Sequence, residues 1–186
     1  SVGLLAMCEF NLFKIEGDCR NRYPEVAAVP LLTDIRDADA LQRAFGKFQP
    51  DVVFHAAAYK HVPMQELHPC EAVKNNVLGT QHLLEAACAF RVAKFVMIST
   101  DKAVRPTNVM GATKRVAEKL VTCINGNGNG VQCMVVRFGN VIGSSGSVIP
   151  TFRAQIEKGG PVTVTHPEIT RYFMSIPEAA QLVLEA

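Results

Sequence analysis

The residues Lys94-Phe95-Val96-Met97-Ile98-Ser99-Thr100-Asp101-Lys102 decide how this chain folds. An apolar run of this length, bounded by polar residues, is typical of a parallel strand that is buried on both faces. The strand ends in a hydroxyl, a carboxylate and an ammonium group at Thr100, Asp101 and Lys102. Because open α/β sheets hold their ligands at the carboxyl ends of their strands, we expect an acid–base pair at a ligand-binding edge.

Outward from this stretch, apolar runs alternate with amphipathic segments, which predicts an α/β fold with a parallel sheet covered by helices. The predicted strands are Val2–Met7, Val26–Leu32, Asp51–His55, Lys94–Ser99 and Val131–Phe138, with a weaker one at Val162–Thr165. The predicted helices are Glu9–Asn21, Asp37–Phe48, Pro69–Phe90, Asn108–Asn125, Thr151–Lys158 and a last one that begins at Pro177. We divide the chain into an α/β domain, 1–142, and part of a small loop-rich substrate-binding region, 143–186.

The composition argues against several classes of protein. The 186 residues carry a formal net charge of +2, which is too small to favour nucleic acid or an anionic membrane as partner. The apolar runs are too short to span a bilayer, and no secretory signal opens the chain, so we expect a cytoplasmic protein. Six scattered cysteines without a CxxC pair favour buried, reduced thiols over disulfides or a metal site.

Two glycine-rich stretches bear on anion binding, although no GxGxxG motif joins a strand to a helix. Gly126-Asn127-Gly128-Asn129-Gly130 follows a helix and precedes a strand, which is the wrong order for a phosphate loop and favours a flexible connection. Gly143-Ser144-Ser145-Gly146-Ser147 precedes a helix. Its amide groups could cradle an anionic substrate group, and an ordinary loop with a cap at Ser147 is an equally good interpretation.

Taken together, six motifs resemble the extended short-chain dehydrogenases/reductases, and within them the nucleotide-sugar 4,6-dehydratases of polysaccharide biosynthesis, which act on UDP-N-acetylglucosamine. The motifs are Thr33–Asp37, His55–Pro63, Asn75–Thr80, Ser99–Lys102, Arg137–Val141 and Thr170–Tyr172. They come in the family's order and at its spacing over nearly the whole chain. The resemblance implies a Rossmann-like, doubly wound parallel sheet that lacks its first βα unit, and therefore a fragment of the catalytic domain.

The resemblance also implies NAD as the cofactor, with NADP as the alternative. The implied cofactor-binding residues are Asp34, Ile35, Ala56, Ala57, Ala58, Asn76, Lys114, Phe138 and Gly139. Asp34 would accept a hydrogen bond from the adenine amine, or else cap the helix that starts at Asp37. Asn76 would brace the active-site strand, and Lys114 would donate to the ribose hydroxyls. Because the phosphate loop is missing, we expect these residues alone to bind dinucleotide weakly and to be inactive or weakly active.

The implied catalytic residues are Thr100, Asp101, Lys102 and Met110. Met110 stands where the superfamily has its catalytic tyrosine, four residues before Lys114, and a thioether cannot take a proton. The membrane-anchored subgroup of the family also carries methionine here. Asp101 would protonate the departing C6 hydroxyl, which requires a raised pKa, and Lys102 would be the base at sugar C5. Thr100 would bind the C4 oxygen; a surface ion pair is the alternative interpretation for Asp101 and Lys102.

The implied substrate is a UDP-sugar, UDP-N-acetylglucosamine, which is converted to its 4-keto-6-deoxy product. The implied substrate-binding residues are Tyr59, Lys60, His61, Asn140, Ser147, Thr163 and Arg171. Dehydration with inversion at C5, or a non-catalytic binding module, are alternatives that the residues leave open. A homodimer through the helices 69–90 and 108–125 is a further expectation. The resemblance also implies that the longer parent protein is anchored to the bacterial inner membrane by N-terminal helices that these residues lack.

Overall fold

The structure is a computed structural model that describes residues 1–126, 130–144, 148–164 and 166–186. Its strands are β1 (Val2–Ala6), β2 (Ala28–Leu32), β3 (Val52–His55), β4 (Lys94–Thr100), β5 (Gln132–Phe138), β6 (Asn140–Val141) and β7 (Phe173–Met174). Its helices are α1 (Glu9–Arg22), α2 (Ala38–Phe48), α3 (Val62–Leu67), α4 (Pro69–Val73), α5 (Gly79–Ala89), α6 (Val109–Gly126), α7 (Val148–Glu157) and α8 (Ile176–Leu184). A π-helical turn, Lys74–Leu78, joins α4 to α5, and a 3-10 turn, Asp101–Ala103, follows β4.

All strand pairs among the described residues are parallel, which confirms the predicted α/β fold. β3, β4 and β5 form one sheet in that order, with β4 in the centre, and β1 pairs with β2 in a second sheet. A cavity of about 570 Å³ lies between these two sheets, lined by side chains of β1, β3 and α2. The core packs α2, α5 and α6 against β4 and includes Leu41, Phe45, Leu83, Leu84, Phe95, Met97 and Val121.

The weak strand predicted at Val162–Thr165 is wrong for residues 162–164, and Thr165 lies outside the described residues. The backbone N–H of Thr163 donates to Gln155 Oε1 at 3.0 Å, and Gln155 Nε2 donates to Thr163 Oγ1 at 3.0 Å. A side chain of α7 therefore takes the N–H that a strand would place in a ladder. The structure instead pairs Asn140–Val141 with Phe173–Met174, segments of two residues that are too short for periodicity to predict.

The long helix predicted at Pro69–Phe90 is interrupted by the π-helical turn, and α3 was not predicted. The predicted helix at Thr151–Lys158 begins three residues earlier, at Val148. The boundary at residue 142 stays a prediction. In the described ranges, no helix is long and apolar enough to cross a membrane, and no cluster of His, Cys, Asp or Glu could hold a metal ion. All six cysteines are unpaired thiols, but Cys8, Cys70 and Cys123 are exposed, so their predicted burial is wrong.

Candidate active site

A pocket of about 370 Å³ lies at the carboxyl ends of β3, β4 and β5. The predicted site residues that line it are Ala56, Ala58, Tyr59, Lys60, His61, Thr100, Lys102, Met110, Lys114, Phe138, Gly139 and Asn140. The parallel register explains why they meet, because Thr100 at the end of β4 lies beside Phe138 at the end of β5. Helix α6 adds Met110 and Lys114, one helical turn apart on a single face.

The turn after β4 holds the predicted acid and base in direct contact. Lys102 Nζ donates to Asp101 Oδ1 at 3.2 Å, and Thr100 Oγ1 donates to the same carboxylate oxygen at 2.9 Å. Thr100 Oγ1 also accepts from the Lys102 backbone N–H at 3.3 Å, which caps the start of the 3-10 turn. Lys102 lines the pocket, whereas Asp101 lies beside it and reaches the pocket through Lys102.

The expected raised pKa of Asp101 is wrong for this arrangement. Burial raises the pKa of Asp101, but the hydrogen bond from Thr100 and the neighbouring Lys102 ammonium outweigh it and hold the pKa below its ordinary value. The Asp101 side chain is 34% exposed, and the Thr100 hydroxyl and the Lys102 ammonium both donate to the same oxygen, Oδ1. Asp101 and Lys102 therefore form an ion pair in this turn, in which the Asp101 carboxyl group is ionised.

Lys114 is buried at the floor of the pocket, with 6% of its surface exposed. Its Nζ donates to the backbone carbonyl oxygen of Ile98, on β4, at 2.7 Å. Burial lowers the pKa of Lys114 to about 8, and the charge of Glu118 opposes that fall. The neighbouring Met110 is also buried. The helix start is fixed by Asn108, whose Oδ1 accepts from the Gly111 N–H at 2.8 Å.

Asn76, in the π-helical turn, ties the loop after β3 to helix α6. Its Nδ2 donates to Tyr59 O at 3.0 Å and to Thr113 Oγ1 at 3.1 Å, while its Oδ1 accepts from the Tyr59 N–H at 2.8 Å. π-helical turns often occur at functional sites, where they redirect a side chain from the regular helical spacing. Asn76 thus holds a loop that lines the pocket, although it does not line the pocket itself.

His55 is a buried part of this arrangement that sequence reasoning quoted in a motif but did not assign. Its Nε2 lies 2.8 Å from Thr80 Oγ1, and Thr80 Oγ1 donates to the Asn76 carbonyl oxygen at 2.7 Å. Since the Thr80 proton is used in that bond, His55 Nε2 carries the proton between the two side chains. Burial, together with the charge of Lys114, lowers the pKa of His55 to about 3, so it is neutral at physiological pH.

The predicted adenine-side residues lie away from this pocket. Asp34 accepts a forked pair of bonds from Arg36, at 2.9 Å from Nε and 2.6 Å from Nη2, and this contact lowers the pKa of Asp34 against the effect of burial. Asp34 is not a helix cap, because Asp37 caps α2 by accepting from the Ala40 N–H. Among the predicted residues, Ile35, Ala56 and Ala57 line the cavity between the two sheets.

The structure does not bring every predicted substrate residue to the pocket. Thr163 contacts Gln155 instead, and the exposed Arg171 donates to the carbonyl oxygen of its neighbour Thr170. Ser147 lies outside the described residues. The pocket also includes residues that were not predicted as site residues: Ile98, Ser99, Val141, Ser144 and Val148. The sequence signal for Ser144 is the stretch Gly143–Ser147, whose amide groups are candidates for binding an anionic group.

A family model described as polysaccharide biosynthesis protein matches residues 1–186. The chain belongs to this family. It is 51% identical, over 98% of its length, to the capsular polysaccharide biosynthesis protein CapD of Staphylococcus aureus, of which it covers 31%. The chain thus spans about a third of the length of that curated relative.

The chain is also similar to solved structures, among them a nucleotide-sugar epimerase of the extended short-chain dehydrogenase/reductase type. Pen from Bacillus thuringiensis matches with a TM-score of 0.89 and 39% identity, over the whole chain and 58% of Pen. The UDP-glucose 4-epimerase of Thermus thermophilus, solved in complex with NAD, matches with a TM-score of 0.74 and 26% identity, over 86% of the chain and 61% of the epimerase. The predicted family and the Rossmann-like fold are confirmed.

Proposed function

We propose that the full-length protein is a nucleotide-sugar 4,6-dehydratase that converts UDP-N-acetylglucosamine to its 4-keto-6-deoxy product. The observation that carries the proposal is the Asp101–Lys102 ion pair, which meets the pocket beside Thr100. Loss of water from sugar C5 and C6 needs one group that takes a proton and another that gives one. A carboxyl and an amine in contact can supply both.

The residues present fit NAD as the cofactor, and NADP is the alternative. Lys114 offers a buried cation to the ribose hydroxyls, Ala56 and Ala58 leave room for a flat ring, and Phe138 and Gly139 line the same pocket. When bound, NAD would supply a temporary acceptor for the hydride that leaves sugar C4. Ile35 and Ala57 give the adenosine half an apolar wall in the cavity between the sheets. The Thermus epimerase, of similar fold, was solved with NAD.

The contact with Lys102 explains how Asp101, whose pKa is low, can act as the proton donor at sugar C6. Transfer of one proton from Lys102 Nζ to Asp101 Oδ1 turns the pair into a neutral amine and a carboxylic acid. Exclusion of water by the bound sugar favours this neutral form, since desolvation disfavours both charges. Lys102 then takes the C5 proton, and Asp101 gives its proton to the C6 hydroxyl, which leaves as water.

The C4 hydroxyl must also lose a proton, and Met110 has no group to accept it. Thr100 lines the pocket, and its hydroxyl is already hydrogen-bonded to Asp101 Oδ1. A C4 hydroxyl bound at Thr100 passes its proton along this contact to the carboxylate and on to solvent, so that Asp101 is ionised again when it takes the proton of Lys102. Solvent returns one proton to Lys102 after the reaction. Inversion at C4 is the second candidate reaction, because the Thermus neighbour is a 4-epimerase. That reaction keeps the C6 hydroxyl and needs no acid at C6.

The test compares Asp101→Asn and Lys102→Met with wild type in the full-length protein, using UDP-N-acetylglucosamine and NAD. We expect each change to lower turnover by about 10² to 10⁴-fold, the usual contribution of general acid–base groups. Lys94→Met is the matched control, because Lys94 is an exposed lysine at the opposite end of β4. It should leave turnover unchanged.

Proton NMR of the product separates the candidate functions. A 6-methyl signal marks dehydration, and the coupling of the proton at C5 reports whether C5 is inverted. A product with its C6 hydroxyl retained and C4 inverted would make the protein an epimerase. Full turnover in both Asp101→Asn and Lys102→Met would remove the catalytic assignment, and no turnover in wild type with retained ligand binding would favour a binding module.

A further inference from the structure

Glu118 is a buried carboxylate on α6, one helical turn after Lys114, with 3% of its surface exposed. Its Oε1 accepts from Ser99 Oγ at 2.6 Å and from Arg137 Nε at 2.7 Å. Its Oε2 accepts from Arg137 Nη2 at 2.5 Å and from Arg115 Nη1 at 3.0 Å. Four hydrogen bonds on one buried carboxylate, three of them from arginines, make a strong and directional contact.

The donors come from three elements that surround the candidate active site. Ser99 and Arg137 are partners in the parallel register at the carboxyl ends of β4 and β5. Each is followed directly by a residue of the pocket, Thr100 after Ser99 and Phe138 after Arg137. Glu118 therefore joins both strand ends to the helix that carries Lys114. A shift at this carboxylate would move groups on three walls of the pocket together.

The same carboxylate acts on Lys114 through its charge. Burial raises the pKa of Glu118, but the bonds from Arg137, Ser99 and Arg115 outweigh it, and the group stays ionised. The negative charge favours the protonated form of Lys114, against the effect of burial. Tyr59, Lys60 and His61 from the loop after β3 line the same pocket as Lys114. Lys102 also lines it and pairs with Asp101 in the turn after β4, while His55 on β3 is neutral. The cations that face Glu118 itself are those of Arg115 and Arg137.

We propose that Glu118 is a positioning residue of this site, which fixes the ends of β4 and β5 on α6 and keeps Lys114 a cation. The proposal rests on the proposed function only in that Lys114 binds the cofactor. It applies equally whether the sugar is dehydrated or inverted at C4. A carboxylate is required, because a glutamine side chain at this position would offer an amide nitrogen where an arginine now donates.

The test measures NAD binding to the full-length protein by calorimetry between pH 6 and 9, in wild type and in Glu118→Gln. We expect the pH at which NAD affinity falls by half to move down by about one unit in Glu118→Gln, since one unit corresponds to a tenfold change in proton affinity. Turnover should fall by about 10²-fold, the scale that an ångström of misplacement can cost. The binding readout does not depend on which sugar reaction follows.

Two variants separate positioning from general stabilisation. Glu118→Asp keeps the charge and should restore the wild-type pH midpoint. Arg115→Gln removes a donor whose side chain is 42% exposed and leaves the carboxylate charged, so its midpoint should also match wild type. An unchanged midpoint in folded Glu118→Gln would overturn the proposal. If that variant does not fold, Arg137→Lys should lower turnover about tenfold with an unmoved midpoint, and full turnover there would overturn it.

Discussion

The sheet of β3, β4 and β5 and the pair of β1 and β2 are built from the same kind of parallel strand but differ in how completely they are covered. β4 is paired on both edges and carries Phe95 and Met97, both fully buried. β1 and β3 each have an edge on the cavity between the sheets. The candidate acid, the candidate base and Lys114 lie at the end of β4 and on α6, whereas Asp34 and Ile35, of the predicted adenine side, follow β2.

Two phenylalanines of the three-stranded sheet show that the incomplete covering already begins at β3, its edge strand on the cavity. Phe95 on β4 is 0% exposed, while Phe54 on β3 is 50% exposed. Parallel sheets are normally covered on both faces, so an exposed phenylalanine within one marks incomplete packing. The comparison teaches that the chemical site rests on the part of the chain whose own residues complete the core. The adenosine side borders a cavity that these residues line but do not fill.

The largest expected effect tests this comparison directly. Phe95→Ala should lower the free energy of unfolding by about 3–5 kcal/mol, because it leaves a cavity among core side chains that cannot close around it. Phe54→Ala is the matched control and should cost less than about 1 kcal/mol, as for exposed positions. Urea unfolding of this chain, followed by circular dichroism, measures both. Equal losses would show that β3 is covered as fully as β4.

The pH dependence of stability gives a second test, through His55. Its pKa is about 3 in the folded chain and near the ordinary 6.5 when unfolded, so between these values only the unfolded state binds the proton. Stability should therefore be fully present above pH 6.5 and fall as the pH drops towards 3, by up to ~1.4 kcal/mol per pH unit from this group.

Urea midpoints of this chain at pH 7, 6 and 5 measure that slope. His55→Gln should flatten it, because glutamine does not titrate, even if the variant is less stable at pH 7. His61→Gln is the control, since His61 is exposed and makes no cap hydrogen bond at the start of α3. An equal slope in wild type and His55→Gln would show that other groups cause the acid sensitivity.

The strands of the three-stranded sheet, β3 to β5, were predictable because a buried parallel strand appears in the sequence as a continuous apolar run. The β4 prediction, Lys94–Ser99, differs from the observed strand by one residue. The π-helical turn at Lys74–Leu78 and the β6–β7 pair were not predictable in this way. The π-helical turn changes the helical spacing over a few residues only. The β6–β7 pair joins two segments of two residues each, which lie far apart along the chain.

The site was predictable where its residues follow strands and not where they depend on side-chain partners. Thr100, Lys102 and Asn140 line the pocket because the ends of β4 and β5 meet at one edge. The low pKa of Asp101 follows from two hydrogen bonds within a three-residue turn, which no spacing rule describes. No sequence pattern indicated that Arg36 would occupy the Asp34 carboxylate, or that Glu118 would join three elements.

The smallest expected effect comes from comparing two helical glycines, one in α1 and one in α6. A Cβ at Gly17 in α1 would meet nothing within 4 Å, whereas a Cβ at Gly111 in α6 would collide with the Lys102 carbonyl oxygen. Gly17→Ala should stabilise the chain by about 0.5–1 kcal/mol, the usual helix preference for alanine. Gly111→Ala should cost about 1–3 kcal/mol, because backbone must move, and should lower turnover in the full-length protein by displacing Lys102. Stabilisation by both alanines in urea unfolding would show that the start of α6 can shift away from the turn without strain.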